Sequence, residues 1–255
     1  PSASLDRNVE IGPYVVIGRK VHIGQGTKVG AHAVIDASTR IGQNCHIYSH
    51  AVIGSASQDL KHQGGEAFLE IGDFNIIREF VTINRATDVG KCTRIGHHNL
   101  FMAYVHIAHD CQIGSHCVFS NAVSLGGHVI VEDQVVIGAM TGIHQFVRIG
   151  QLAMIGAMCK VCQDLPPFML ADGQLPRIYG VNVVGLRRVG ISSSQRQILK
   201  KAYYILYQKP LNLTNALQEL ESLPFNDKLH YLKEFVVNSK RGIIRDMHTK
   251  RPVGA

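Results

Sequence analysis

Counted in steps of six from Ile95, the chain reads Ile95, Phe101, Ile107, Ile113, Phe119, Leu125, Val131, Ile137, Ile143, Ile149, Ile155 and Val161, every one bulky and apolar. The next position is usually small (Gly96, Ala108, Gly114, Gly126, Gly138). The fifth is small or β-branched (Val105, Cys111, Val123, Val135, Ala153). A six-residue period predicts a parallel β-helix, in which each hexad supplies one short strand and one turn and three hexads close a triangular coil. Coils stack at the strand spacing of ~4.8 Å. Residues 18 apart therefore lie one above another.

The same period runs through Leu5, Ile11, Ile17, Ile23, Val29, Ile35, Ile41, Ile47 and Ile53. It fails from 54 to 70, a polar, Gly-containing stretch expected to form an external loop, and resumes through Ile71, Ile77, Ile83 and Val89. Nine hexads before the loop and sixteen after it predict about eight coils. Asn84, Arg85, Asp88 and Lys91 disturb the 83–94 region, so a second small excursion is expected there.

Pro166 and Pro167 follow the last hexad, and 166–191 reads as an irregular connector. Ser192–Ser194 then offer an N-cap to a helix with Ile198, Ala202, Ile205 and Leu206 on one face, stopped by Pro210. Further helices are expected over 214–222 and 227–240, closed by Gly242, with disorder after about 245. The expected fold is mainly β: a left-handed parallel β-helix over 1–165, then the connector, then a C-terminal α-helical domain over 192–255.

Composition narrows the function. The chain has 26 Lys+Arg against 19 Asp+Glu, a net charge of +7, which favours an anionic partner. Lys/Arg runs interleaved with aromatics are missing, so nucleic acid is not expected. No stretch approaches the ~20 apolar residues of a spanning helix, and none reads as a signal peptide. The chain opens on Pro1 inside a repeat, and a few further N-terminal residues are expected. Cys45, Cys111, Cys117 and Cys159 fall on inward fifth positions. Cys92 and Cys162 do not, but Cys159 and Cys162 have no second pair to complete a zinc site. All six read as reduced thiols, which suits a cytoplasmic protein.

Stacking also collects chemistry. Ile107, Leu125 and Ile143 share an inward column, which places His109, Gly127 and Gln145 at the third position of successive turns, with Asp110, His128 and His144 beside them. Imidazole titrates near pH ~6.5 and can remove a proton from a hydroxyl, and a carboxylate fixes its tautomer. Gly127 can bring a backbone N–H close to a developing oxyanion. No Ser or Cys stands there as an obvious nucleophile, so direct attack by a substrate hydroxyl on an activated acyl group is expected. The 54–70 insertion carries Gln58, Asp59, Lys61 and His62. His106, His109 and His128 also permit a zinc site of the γ-type carbonic anhydrase kind, and a non-catalytic scaffold is a third reading.

The segments QDLK (58–61), HIAHDC (106–111), GGHV (126–129), IHQF (143–146), QDLPP (163–167) and GVNVVGLRR (180–188) resemble the acyl-carrier-protein-dependent UDP-N-acetylglucosamine O-acyltransferases of lipid A synthesis, over nearly the whole chain. The resemblance implies a homotrimer with sites between subunits and no cofactor or metal. It also implies transfer of a 3-hydroxyacyl group from acyl carrier protein to the sugar 3-hydroxyl. By motif position His109 is the general base, Asp110 its orienting partner and Gly127 the oxyanion donor. His106, His128, His144 and Gln145 line the sugar and acyl positions. Gln58, Asp59 and Lys61 belong to the substrate-binding loop, with Asp59 and Lys61 reaching a neighbour's ligand. Asn182 and Arg188 face the nucleotide or carrier side. Val184 stands where the family often has an acidic residue, and Val189 displaces a basic one. Ala157, where family members with long acyl chains tend to have Gly, and Met158 are expected to form the acyl ruler. Arg196, Lys200, Lys201, Lys240, Arg241 and Arg245 read either as ordinary solvated surface or as a face that docks an acidic protein, and an acidic carrier fits the second reading. A related sugar-nucleotide N-acyltransferase is the nearest rival, although such enzymes usually carry an extra N-terminal uridine-binding domain. Exposed Val52, Phe80 and Val118 are expected on outer faces that a trimer would bury.

Overall fold

The computed structural model describes residues 3–245. The tail expected after 245 therefore lies outside the described residues. Short parallel strands from Ser4–Leu5 to Lys160–Val161 form three sheets, the faces of a triangular prism. Face one runs from Ser4–Leu5 to Arg148–Ile149, face two from Glu10–Ile11 to Met154–Ile155, and face three from Val16–Ile17 to Lys160–Val161. Each face carries eight of these strands, one per coil. The register is in steps of 18 where the repeat is strict: Ile107 lies on Leu125 and Leu125 on Ile143.

The hexad follows from what each position meets. First-position residues such as Ile35, Ile53, Ile83 and Ile107 are fully buried in the prism, each worth about 1.5–3 kcal/mol of burial. Phe101 and Phe119 stack inside it, centroids 4.9 Å apart. The fourth position turns the corner in the left-handed backbone region, as at Asp110 (φ 61°), His128 (φ 60°) and Phe146 (φ 65°), and points outward along an edge. Asp and His tolerate that conformation better than most residues.

Two departures from the period share one edge, between faces three and one. The chain leaves face three after Val52–Ser55 and re-enters face one at Phe68–Ile71. It leaves again after Thr82–Asn84 and returns at Cys92–Ile95. Val89 is thus not a repeat position, as its phase suggested. It lies in the second excursion and is 69% exposed, because the following face-one strand ends at Ile95, which pairs with Ile71.

The connector is more ordered than its two prolines implied. Met169–Asp172 extends face two and pairs antiparallel with Arg177–Val181. Helix α1 (Val183–Arg188) follows, then α2 (Ser193–Tyr203), α3 (Leu213–Leu220) and α4 (Asp227–Val237). Ser192 and Gln195 form a capping box at α2. The helices dock through polar anchors. Buried Asp164 accepts from the Arg148 N–H at 2.8 Å and the Ser239 hydroxyl at 2.7 Å, and its N–H donates to Gly242 O at 2.9 Å. Glu132 accepts from Arg148 Nε at 2.7 Å and from the Tyr231 hydroxyl, and the Arg148 guanidinium lies 4.4 Å over the Phe235 ring.

All six cysteines are free thiols, five of them buried. Burial pushes Cys111 and Cys117 up to about 12 and Cys92 up to about 11, so these are inert packing groups. Cys92, although not at an inward fifth position, is also buried, at the start of its strand. Phe80 lies at a corner with φ 59°, not on a flat face.

Candidate active site

Both excursions, and the turns after His106–Ile107, Ser124–Leu125 and Gly142–Ile143, stack on the three–one edge in five successive coils. On that edge His109 Nδ1 lies 2.8 Å from Asp110 Oδ2. Both side chains are about nine-tenths buried. Burial alone would raise the Asp110 carboxyl. Hydrogen bonds from His109 and from the Thr87 backbone and hydroxyl, with the His128 charge, hold it below the ordinary aspartate range. Asp110 is therefore a carboxylate at neutral pH, able to hold His109 with Nδ1 protonated and Nε2 bare.

Gly127 sits one coil above. A Cβ there would lie 2.4 Å from His109 Cε1 and 2.6 Å from Nε2, so only glycine leaves room for the imidazole. Gly127 O accepts from the Phe146 N–H at 3.0 Å, while its own N–H has no backbone acceptor among the described residues. His128 Nε2 lies 3.7 Å from Asp110 Oδ2, and its ring stands edge-on to His109 at 5.3 Å.

The remaining expected residues divide. Gln145 is exposed at the third position above Gly127. His144 lies beside Gln145, two positions earlier in its turn than Asp110 and His128 are in theirs, and donates Nδ1–H to Gln145 O at 3.1 Å. Phe146 continues the Asp110–His128 row, stacked on His128 at 4.6 Å. Its place follows from the period, as the fourth residue of the hexad that opens at Ile143. His106 lies on face three, with Nδ1 2.7 Å from Thr82 Oγ1. Burial, and then the His109 charge, lower its pKa. The three-histidine set of the zinc reading is not assembled: the ligand atoms within 4.8 Å of one another belong to His109, Asp110 and His128. Those three are already tied by the acid–base contacts just described.

Asp59 and Lys61 sit on the first insertion, where Asp59 Oδ1 accepts the Lys61 N–H at 2.9 Å. Gln58 and Lys61 are exposed. The insertion is clamped to lower coils by Lys20–Glu66 at 2.7 Å and by the Ser38 hydroxyl on Glu66 at 3.0 Å. A cleft of about 550 Å³, lined by Arg19, Lys20, Glu66 and Arg85 among others, opens beside this clamp. Sequence reasoning missed Thr87 and Ser57, because they lie in excursions that carry no period. Thr87 Oγ1 is 2.8 Å from His109 Nδ1 and 2.7 Å from Ser57 Oγ.

Asn182 has a structural task. It caps α1 by accepting the Gly185 N–H at 3.0 Å and donates to Leu152 O at 2.9 Å, and it is only 5% exposed. Its side chain is not displayed as a ligand contact in this chain, whereas Arg188 is exposed at the end of that helix. Ala157 and Met158 are exposed on the edge between faces two and three, not on the edge of His109, because the strand before them belongs to face two. Of the basic helical face, Arg196, Arg241 and Arg245 donate to the carbonyls of Ile191, Cys162 and Leu206, so Lys200, Lys201 and Lys240 remain exposed.

The prism of hexads is the architecture of the bacterial hexapeptide transferases. Residues 2–37, 20–55 and 92–127 match the bacterial transferase hexapeptide model (six repeats), and 164–244 match "Udp N-acetylglucosamine O-acyltransferase; Domain 2". The chain is 47% identical over 252 residues to the acyl-[acyl-carrier-protein]–UDP-N-acetylglucosamine O-acyltransferase of Janthinobacterium sp. (strain Marseille), and 46% identical over 247 residues to that of Thiobacillus denitrificans. Each comparison covers 96% of both chains. A solved UDP-N-acetylglucosamine acyltransferase from Bacteroides fragilis 9343 superposes with TM-score 0.94 at 42% identity, covering 96% of both chains. The chain belongs to the acyl-[acyl-carrier-protein]–UDP-N-acetylglucosamine O-acyltransferase family, and its fold is a left-handed β-helix. Neither a zinc hydratase nor a non-catalytic scaffold is favoured by these relatives. No helix among the described residues is long and apolar enough to cross a membrane.

Proposed function

We propose that the protein transfers a 3-hydroxyacyl group from acyl carrier protein to the 3-hydroxyl of UDP-N-acetylglucosamine, at the start of lipid A synthesis. The observation that carries the chemistry is the 2.8 Å His109–Asp110 pair lying against Gly127. His109 Nε2 takes the proton of the sugar hydroxyl as its oxygen attacks the thioester carbonyl. The Gly127 N–H receives the oxyanion. The C–S bond then breaks, and the imidazolium returns its proton to the departing carrier thiol. Asp110 stabilises the imidazolium throughout. No covalent acyl-enzyme is needed, because the acceptor itself is the nucleophile.

The working form is a homotrimer in this reading. One support is an exposed ladder on the two–three edge, where Tyr14, His32, His50, Phe80 and Tyr104 stack at 4.9 to 5.0 Å. Aromatic surface of this extent suits burial against another copy. A neighbour would then bring the ruler residues Ala157 and Met158 to the edge of His109, while Asp59 and Lys61, on the insertion of that same edge, would reach a neighbour's ligand. His106, His128, His144 and Gln145 line the sugar and acyl positions. Arg188, Lys200, Lys201 and Lys240 offer positive charge to an acidic carrier. Asn182 stands on the nucleotide or carrier side and also fixes α1. A cytoplasmic location is consistent with six free thiols.

Product mass spectrometry with a panel of acyl carrier thioesters, offering both the 3-hydroxyl and the 3-amino sugar nucleotide, tests this directly. The O-acylated product is expected. Exclusive N-acylation, or no transfer at all, would overturn the reading.

A further inference from the structure

We propose that Thr87 is a positioning residue for His109, holding the imidazole and Asp110 in their working arrangement and tying both to the insertion loop through Ser57. The inference rests on the reading of His109 as general base and goes one layer behind it.

Thr87 lies in the second excursion, in the coil directly below His109, and is 9% exposed. Every polar atom it has is engaged around the site. Its N–H donates to Asp110 Oδ2 at 3.1 Å, and its carbonyl accepts Nδ1–H of His62, another insertion residue, at 2.9 Å. Its hydroxyl oxygen lies 2.8 Å from His109 Nδ1 and 2.7 Å from Ser57 Oγ.

A hydroxyl has one proton to give and two lone pairs to offer. One assignment satisfies all of these contacts. The Asp59 N–H donates to Ser57 Oγ at 3.1 Å. With the Ser57 hydroxyl as donor to Thr87 Oγ1, the Thr87 proton is left free to turn toward the Asp110 carboxylate, which the Thr87 side chain helps to hold ionised. His109 Nδ1–H is shared between the Asp110 carboxylate and the second Thr87 lone pair. The run of donors therefore begins in the loop and ends on the carboxylate. It leaves Nε2 as the one imidazole nitrogen available to substrate. Thr87 carries no charge, so it acts through orientation and through the carboxylate it helps to hold ionised. The titratable groups facing His109 are Asp110 in its own turn, His128 from the coil above and His106 from face three.

The test compares Thr87→Val, which keeps the branched shape and removes the hydroxyl, with Thr87→Ser, which keeps the hydroxyl. Full-length enzyme is assayed with a 3-hydroxyacyl carrier thioester and UDP-N-acetylglucosamine, with folding checked by thermal unfolding. Thr87→Val is expected to lower kcat by about 10- to 100-fold with KM for the sugar nucleotide within about twofold. The acid limb of its pH–rate profile should move, because both the carboxylate and the imidazole lose a hydrogen-bond partner in Thr87. Thr87→Ser should recover kcat to within about fivefold of wild type. Ser57→Ala should lower kcat in the same direction by less. Wild-type kcat and an unmoved acid limb in Thr87→Val, or Thr87→Ser as impaired as Thr87→Val, would overturn the proposal. If Thr87→Val does not fold, Ser57→Ala decides: an unaltered kcat and acid limb overturn it. His109→Ala is run alongside. An active His109→Ala removes the base reading itself, whereas an inactive one beside an unaffected Thr87→Val removes this inference alone.

Discussion

The His109 ring fills the space that a side chain on Gly127 would need, with Cε1 2.4 Å from the position of a Cβ there. Gly127 is not in the left-handed backbone region, and the atoms nearest to an alanine Cβ there all belong to the imidazole. Gly127→Ala should therefore fold and displace His109, and a misplacement of that size costs about 100-fold in kcat/KM. Steady-state kinetics check this. Wild-type turnover would show that the close approach has no catalytic consequence.

His106 makes stability depend on pH. Burial, reinforced by the His109 charge, lowers its pKa in the folded protein. The unfolded chain therefore binds the proton more readily, and stability falls as pH drops from about 6.5 through the lowered folded value. Asp110, whose pKa is also lowered, acts in a separate window below about pH 4. Urea unfolding at pH 7.5 and 5.5 should show a loss for the wild type and a smaller one for His106→Gln. Equal losses would remove His106 as the cause.

Asp164 holds the helical domain to the last coil. Asp164→Ala leaves the part-buried Arg148 N–H without its acceptor and frees Ser239. A destabilisation of about 2–3 kcal/mol is expected from denaturant unfolding, with faster amide exchange over 239–244. Unchanged exchange in that segment would mean the domain docks by other contacts.

Ala157 is exposed on the edge between faces two and three. If a neighbouring copy presents it to the acyl chain, Ala157→Gly lengthens the groove, and the variant should prefer longer donors. An assay across acyl lengths that shows no shift would remove Ala157 from the ruler.

The prism was legible because its code is local: a buried first position and a tight corner recur every six residues, and the register of Ile107 on Leu125 follows by counting. Where the chain leaves the coil the code stops. Val89 kept the phase by chance yet hangs 69% exposed in an excursion, and Thr87 and Ser57 reached His109 through loops that no period describes. The connector was misread because its strand pair, Met169–Asp172 with Arg177–Val181, is set by pairing with face two, a long-range contact that two prolines do not reveal. Among the site residues, His109 and Gly127 were brought together by stacking alone. That Asn182 caps α1 could not be seen from its motif, because the cap depends on where the helix begins.

The account depends most on an imidazole acting as base at the three–one edge. Its most direct test is the single-turnover rate of His109→Ala with a 3-hydroxyacyl carrier thioester and UDP-N-acetylglucosamine, with thermal stability and oligomeric mass measured on the same sample. The expected result is a loss of about 10²- to 10⁴-fold in a protein that folds and assembles like the wild type. A folded His109→Ala that transfers the acyl group at the wild-type rate would contradict it.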